Sequence, residues 1–267
     1  MESRYAIALS GAGMSTESGI PRLVGGTKRG VDHKQGGRGQ GLSKIRAFPE
    51  RPQGILAGNA WAARDTRGAF YEEIGRAEPN PGHYALAELE ALGILKCVIT
   101  QNIDGLPRTA GSRRILEYHG SIHTLRCISC GSRLAREEVS TDELPPLCKC
   151  DAALRHDVVH FKEPIPLDVM RESEEEALRC DLMLICGTSA VVYPFANLPR
   201  MARFHSGRLV TGLDVIGHKA NVKIIEVNAD PTPLTHEDVS GCLIQGQTGE
   251  ILPRIAEELR TARKQRS

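Results

Sequence analysis

Tyr5-Ala6-Ile7-Ala8-Leu9-Ser10-Gly11-Ala12-Gly13 is an apolar run of strand length that stops on a glycine-rich turn. A short continuous apolar run bounded by turn residues reads as a buried strand. The same pattern recurs three times. Residues 94–100 form a second buried strand, ending in Thr100-Gln101-Asn102-Ile103-Asp104-Gly105. Residues 181–186 form a third, ending at Gly187-Thr188-Ser189, and residues 222–227 a fourth, ending at Asn228. Helices separate them. Asn80-Pro81 reads as a cap followed by Pro at the first helical position. Leu86, Leu89 and Leu92 then share a face, and Gly93 stops the helix. A charged helix runs through Glu172, Glu174, Glu175 and Glu176, and a closing helix from Gly249 to about Leu259. Short apolar strands alternating with helices imply the α/β class, with a parallel sheet covered on both faces. Polar residues and glycines gather where the strands end, the edge at which open α/β sheets bind ligands.

The remaining composition narrows the function classes. The chain has 267 residues, 40% hydrophobic and 25% charged, with a net charge of +1. That balance carries no nucleic-acid signature, and no direct nucleic-acid site is evident. No apolar run reaches the roughly 18 residues of a membrane span. The N-terminus leads into a strand rather than a signal peptide, so the expected setting is cytoplasmic. Residues 25–46 are rich in Gly and basic residues and lack periodicity, which reads as a loop. Residues 54–77 are moderately helical, with an apolar stripe through Trp61, Phe70 and Ile74.

Several segments carry chemistry. Gly11, Ala12, Gly13 and Ser15 follow a strand, as a dinucleotide loop requires, although the spacing is not that of the general nucleotide fingerprint. An ordinary tight turn is the alternative. Gln101, Asn102 and Asp104 at the next strand end suit a polar ring or a held water, or a capping cluster. His119, in Leu116-Glu117-Tyr118-His119-Gly120-Ser121, is the residue type for proton removal near neutral pH. Gly187, Thr188 and Ser189 suit a phosphate or ribose, and Asn228, with Asp230 nearby, an adenosine ribose.

Eight cysteines divide in two. Cys97 and Cys186 lie in strand-like runs and read as buried small hydrophobes, with Cys180 and Cys242 also scattered. Cys127, Cys130, Cys148 and Cys150 form two close pairs. Four thiolates so spaced make a closed tetrahedral zinc site, which leaves no open position and is therefore structural. A redox or free thiol pair is the alternative. Residues 121–163 read as an inserted zinc module.

In order and over nearly the whole chain, these segments resemble the Sir2 (sirtuin) family. The resemblance is carried by GAGMSTESGIP, TQNIDGL, LEYHGS, the four cysteines, LRHDVVHFKEPIP, GTSAVVYP and EVNADPTP. It implies a Rossmann-like NAD-binding domain (1–32, 81–120 and 164–267), a flexible cofactor loop and helical flap (33–80) and a zinc-ribbon module (121–163). It implies an NAD-dependent protein-lysine deacylase that uses NAD as co-substrate and holds one structural zinc. Ala12, Gly13 and Ser15 would line the phosphate and ribose site. Gln101 would contact the nicotinamide-side ribose, and Asn102 and Asp104 would form the nicotinamide pocket. His119 matches the catalytic histidine. Thr188, Ser189 and Asn228 would hold phosphate and adenosine ribose, and Gln247 falls in the adenine-contacting turn.

The implied reaction releases nicotinamide, couples the acyl oxygen to C1′ of the ribose, and ends in free lysine and O-acyl-ADP-ribose, with His119 deprotonating a ribose hydroxyl. The acyl-lysine peptide would lie extended between residues 158–163 and 190–193. Val159 and Phe161, sharing one face of a strand, would wall the acyl-lysine channel.

The chain also departs from the family. The family's Asp, Phe and Arg after Gly-Ile-Pro are Arg22, Leu23 and Val24 here. Leu23 cannot stack on a ribose-shielding face as Phe does, and Val24 cannot imitate a bidentate Arg. The family commonly has His at Pro107, Pro at His156 and Gly at Lys162. The desuccinylase-like branch carries Tyr and Arg three residues apart in the flap. Tyr71 matches the first position and Ile74 replaces the second, which favours acetyl or a longer apolar chain. Two alternatives stand beside deacylation: an ADP-ribosyltransferase or NAD hydrolase, and a non-catalytic NAD-binding interaction module.

Overall fold

The computed structural model describes residues 3–21, 71, 73–140, 142, 144–204 and 222–265. Arg22-Leu23-Val24, the basic run of 25–46, Trp61, Phe70 and most of the flap lie outside the described residues.

Six parallel strands make the main sheet: β1 (Ala6–Ser10), β2 (Leu95–Thr100), β3 (Ile115–Glu117), β7 (Leu182–Cys186), β8 (Lys223–Asn228) and β9 (Cys242–Gln245). Their order is β3-β2-β1-β7-β8-β9, with β1 parallel to both β2 and β7. This is the Rossmann order, in which the chain reverses direction across the sheet between its first and fourth strands. The switch point therefore lies between β1 and β7, where the turns after Ser10 and Cys186 come together.

Burial on both faces explains the unbroken apolar strands. Ile7 and Leu9 of β1 pack into one core with Ala177 of α4 (Leu167–Arg179), Leu198 and Ala202 of α5 (Leu198–Phe204) and Leu234 of α6 (Pro233–His236). Ala6 and Ala8 pack the other way, with Leu86 and Leu89 of α2 (Pro81–Ala91) and Leu252 and Ala256 of α7 (Thr248–Lys264). Each buried leucine of α2 contributes about 2 kcal/mol. The cap of α2 is as expected: Gly82 N–H donates to Asn80 Oδ1, and Asn80 N–H to His83 Nδ1. His83 is buried, and that burial lowers its pKa to about 4, so its ring is neutral. Cys97 and Cys186 are fully buried, and burial pushes the Cys97 thiol up to about 12.

Four of the six strands were legible in the sequence. The other two, β3 and β9, are short edge strands whose few residues carry no period. The closing helix α7 runs past Leu259 to Lys264, because Arg260 pairs with Glu88 at 3.5 Å and Arg263 donates to the Leu92 carbonyl. Among the described residues no helix is long and apolar enough to cross a membrane.

A second sheet is antiparallel, in the order β5-β4-β6: β4 (Gly120–Cys127), β5 (Arg133–Ala135) and β6 (Leu154–Val158). Chain passes from one sheet to the other at Gly120, whose φ is +78° and where a Cβ would lie 1.7 Å from the Asp157 carbonyl. Only glycine fits that position. Residues 73–75, the visible end of the flap, are helical. Ile74 there is buried with Ile122 and Val158 of the second sheet, beside Tyr71, Ile20 and Ile103.

Candidate active site

The turns after β1 and β7 are packed backbone against backbone. Gly13 N–H donates to the Gly187 carbonyl at 2.6 Å. A Cβ on Gly13 would sit 2.6 Å from that oxygen, and one on Gly11 would sit 2.7 Å from Thr188 Cβ. The sequence reading gave these glycines to the approach of a pyrophosphate. The structure adds a second reason, close contact between two loops at the switch point. Gly187 has φ +59°, and a Cβ on it would lie 2.2 Å from Met14 N. Gly187→Ala is therefore expected to cost at least about 2 kcal/mol of stability. A wild-type denaturation midpoint in that variant would show that the two loops part freely.

Asn80 also holds the first turn. Its Nδ2 donates to the Met14 carbonyl at 2.7 Å and to Ser18 Oγ at 3.0 Å, so one side chain caps α2 and clamps the glycine loop. Glu17 does similar work further on. It accepts from Gly249 N–H at 2.9 Å and Thr248 Oγ at 3.2 Å, tying the loop to the start of α7 beside Gln247. The sequence marked Asn80 only as a cap and did not mark Glu17, because neither partner is near in sequence.

Behind the loops, three predicted residues form a relay. Asn102 Nδ2 donates to Ser15 Oγ at 2.8 Å and to the Gly11 carbonyl at 3.1 Å. Ser15 Oγ donates in turn to Asp104 Oδ2 at 2.7 Å, and Asp104 Oδ1 accepts from Leu106 N–H at 3.0 Å. Burial raises the Asp104 pKa, against the pull of Leu106 N–H and Ser15. Gln101 Nε2 donates to Thr188 Oγ1 at 2.8 Å, joining the ends of β2 and β7. His123 supports the Asp104 turn through Nε2 to the Asp104 carbonyl at 3.1 Å, a contact that the sequence did not mark.

His119 follows β3 and is half-buried. Its Nδ1 is 3.1 Å from the Gln101 carbonyl. A carbonyl only accepts, so Nδ1 carries the proton and Nε2 keeps the lone pair. Burial lowers the His119 pKa, opposed by that hydrogen bond. Tyr118 meets the ring edge-on at 5.7 Å. Nearby Glu117 is raised by burial although Arg108 lies 3.8 Å away.

The two segments expected to flank a peptide differ from a simple pair of strands. Val159 N–H donates to the His119 carbonyl at 2.9 Å, but β6 ends at Val158. Phe161 sits in a turn and is 74% exposed, so Val159 and Phe161 do not share a strand face. A turn closes here instead, with Glu163 N–H on the His160 carbonyl at 2.9 Å and Lys162 at φ +73°. On the other segment Val191 and Tyr193 are exposed, Tyr193 by 59%. His156 rests on the Ile122 carbonyl at 3.0 Å and meets the Tyr71 ring edge-on at 5.1 Å.

The four paired cysteines converge. Their sulfurs all lie within 4.8 Å of one another, with Cys127 Sγ 3.5 Å from Cys150 Sγ and Cys130 Sγ 3.7 Å from Cys148 Sγ. Four thiolates about 2.3 Å from a tetrahedral zinc stand about 3.8 Å apart, so this set fits the ion. The Ser132 hydroxyl and backbone beside Cys130 lower its pKa to about 6, toward the thiolate that a metal needs.

Asn228 ends β8 at the same edge. Its Nδ2 lies 3.4 Å from Glu226 Oε2. Gly187, Thr188, Asn228, Asp104, Ser15 and His119 thus all come from loops at the carboxyl ends of the parallel strands, with Gln247 at the start of α7.

Known proteins are similar to this chain in sequence and fold. The sequence model of the Sir2 family matches residues 11–194. NAD-dependent protein deacylase 2 of Pyrobaculum aerophilum is 39% identical over 259 residues, covering 97% of this chain and 92% of its own. The NAD-dependent protein deacylase of Aeropyrum pernix is 42% identical over 258 residues, covering 96% and 93%. Among solved structures, a mutant Sir2 homologue complexed with ADP-ribose superposes with a TM-score of 0.74 at 36% identity, covering 98% and 94%. A Sir2 complex with p53 peptide and NAD+ superposes at 0.66 with 29% identity, covering 97% and 95%. With the family match spanning most of the chain and relatives similar along nearly all of it, this chain belongs to the Sir2 family.

Proposed function

We propose that this chain is an NAD-dependent protein-lysine deacylase that releases nicotinamide and O-acyl-ADP-ribose. The observation that carries the reading is the pairing of two chemistries at one switch point. An imidazole whose Nε2 has no partner among the described residues stands on the β3 turn, its pKa lowered by burial. The Asn102–Ser15–Asp104 relay stands on the β1 and β2 turns.

NAD supplies an electrophilic ribose carbon once nicotinamide departs. The protein's own groups do the rest. Asp104 and Asn102 orient the departing amide, with Ser15 holding both side chains in one register. Gln101 and Thr188 bridge the loops on either side of the ribose. His119 Nε2 takes a proton from a ribose hydroxyl, and the Gln101 carbonyl keeps its other nitrogen protonated. Alignment and exclusion of water account for most of the acceleration.

An extended acyl-lysine peptide lies between 158–163 and 190–193, next to the exposed Phe161, Val191 and Tyr193. Ile74 favours an acetyl or longer apolar acyl group. A guanidinium in its place would be buried against Ile122 and Val158. Zinc binds at the four cysteines and holds the module that carries one wall of this cleft. The two sheets support a division between an NAD-binding domain and a zinc module. Buried thiols at Cys97 and Cys186 support a reducing, cytoplasmic setting.

The test is a mass-resolved product assay with NAD and matched acetylated and unmodified lysine peptides. Peptide-dependent nicotinamide release with O-acetyl-ADP-ribose is expected. Free ADP-ribose without peptide, or a peptide that gains ADP-ribose, would overturn deacylation. Either result would point instead to the hydrolase or transferase reading that Arg22, Leu23 and Val24 suggest.

A further inference from the structure

We propose that Glu226 is a positioning residue that sets the selectivity for NAD over NADP by fixing which end of the Asn228 carboxamide faces the ligand. The inference rests on the NAD reading above and deepens it.

Glu226 is fully buried in β8, two residues before the strand end. No lysine or arginine neutralises it among the described residues. Its oxygens accept from Thr232 Oγ1, Thr235 Oγ1, Ser240 Oγ and Asn228 Nδ2. Two of these hydroxyls are committed a second time. Thr232 Oγ1 accepts from Leu234 N–H, and Thr235 Oγ1 accepts from Thr232 N–H, so they form the cap of α6. The carboxylate is thus the centre around which the loop after β8 is folded.

All four groups that face Glu226 present a hydrogen to its oxygens, so the carboxyl is saturated with donors. Asn228 presents its NH2 to Glu226 at 3.4 Å, so its Oδ1, which has no partner among the described residues, is turned away from that carboxyl and left for the ribose that Asn228 is proposed to hold. An oxygen there accepts from a ribose hydroxyl. A ribose phosphate offers only acceptors there, and it would meet this oxygen with no hydrogen to share. Rejection by an unpaired acceptor is a strong form of discrimination.

The experiment is calorimetric titration of the full chain with NAD and with NADP. Wild type is expected to prefer NAD. Glu226→Gln supplies a side chain that both donates and accepts, which frees Asn228 to turn its NH2 outward. The NAD preference should fall about tenfold or more, one lost oriented contact. Asn228→Ala should lower it similarly, and adding Glu226→Gln to that variant should change the ratio no further. If Glu226→Gln weakens both ligands equally, Glu226 is only a structural strut and the inference fails. It also fails if Asp230→Asn, in the exposed turn beyond, reproduces the shift while Glu226→Gln does not. Should Glu226→Gln fail to fold, an unchanged ratio in Asn228→Ala overturns the inference by itself. A wild type that binds no NAD would instead overturn the cofactor reading.

Discussion

His119→Ala is expected to lower kcat about 100- to 10,000-fold, the usual contribution of one general base. The fold should survive. Among the described residues the ring makes one hydrogen bond, to the Gln101 carbonyl, and one edge contact with Tyr118, together about 1–3 kcal/mol. His119→Gln is the sharper variant, since its amide can still donate to that carbonyl but cannot act as a base. It should be as inactive as His119→Ala and more stable. Near-normal turnover in either would remove His119 from the mechanism.

The pH dependence has a defined sign. Burial holds the His119 pKa below the usual histidine value, so the neutral base persists into mild acid. The acid limb of kcat/KM should therefore have its midpoint below pH 6.5 and fall away as pH drops. Linkage runs the same way. In the window from about pH 6.5 down to the folded pKa, the unfolded chain takes up a proton that the folded ring refuses. Stability due to this group thus rises with pH across that window and is lost below it. An acid limb centred above 6.5 would contradict the buried, neutral ring.

Removal of zinc is expected to have the larger structural effect. Residues 121–163 are 43 residues, yet among the described ones their own core buries only Leu125, Cys127, Cys148 and Leu154. Two of those four are proposed metal ligands. The two leucines supply about 2 kcal/mol each, against roughly 1 kcal/mol or more to order the backbone of each residue. Structural zinc contributes about 10–16 kcal/mol in small modules, enough to change the outcome. Chelation, or Cys127→Ser, should remove one zinc per chain and abolish hydrogen-exchange protection in β4–β6. The parallel sheet, with its own two cores, should keep its protection. Activity should fall as well, because Ile122 N–H bonds the Ile103 carbonyl and Val159 N–H bonds that of His119. A metal-free protein with the second sheet still protected would exclude a structural zinc.

The parallel sheet was legible because burial on two faces demands continuous apolar strands, and the glycine and amide clusters marked their carboxyl ends. The zinc module was legible because its ligands come as close pairs, a local pattern. The helix at Asn80 was legible for the same reason, since capping involves neighbours in the chain. What the sequence by itself determined was therefore the class of fold, the positions of the strand ends and the residue types gathered there. Only the tertiary structure decided how those residues are paired. Ser15 joins Asn102 to Asp104 across 87 and 89 positions, Gly13 is required by Gly187 as well as by any ligand, and Glu226 gathers donors from a loop that shows no periodicity. It also decided that Phe161 leaves the strand and that His119 carries its proton on Nδ1. Hydrogen bonds and close approaches between distant segments depend on where the backbone brings them, and such contacts leave no spacing in the chain to be read.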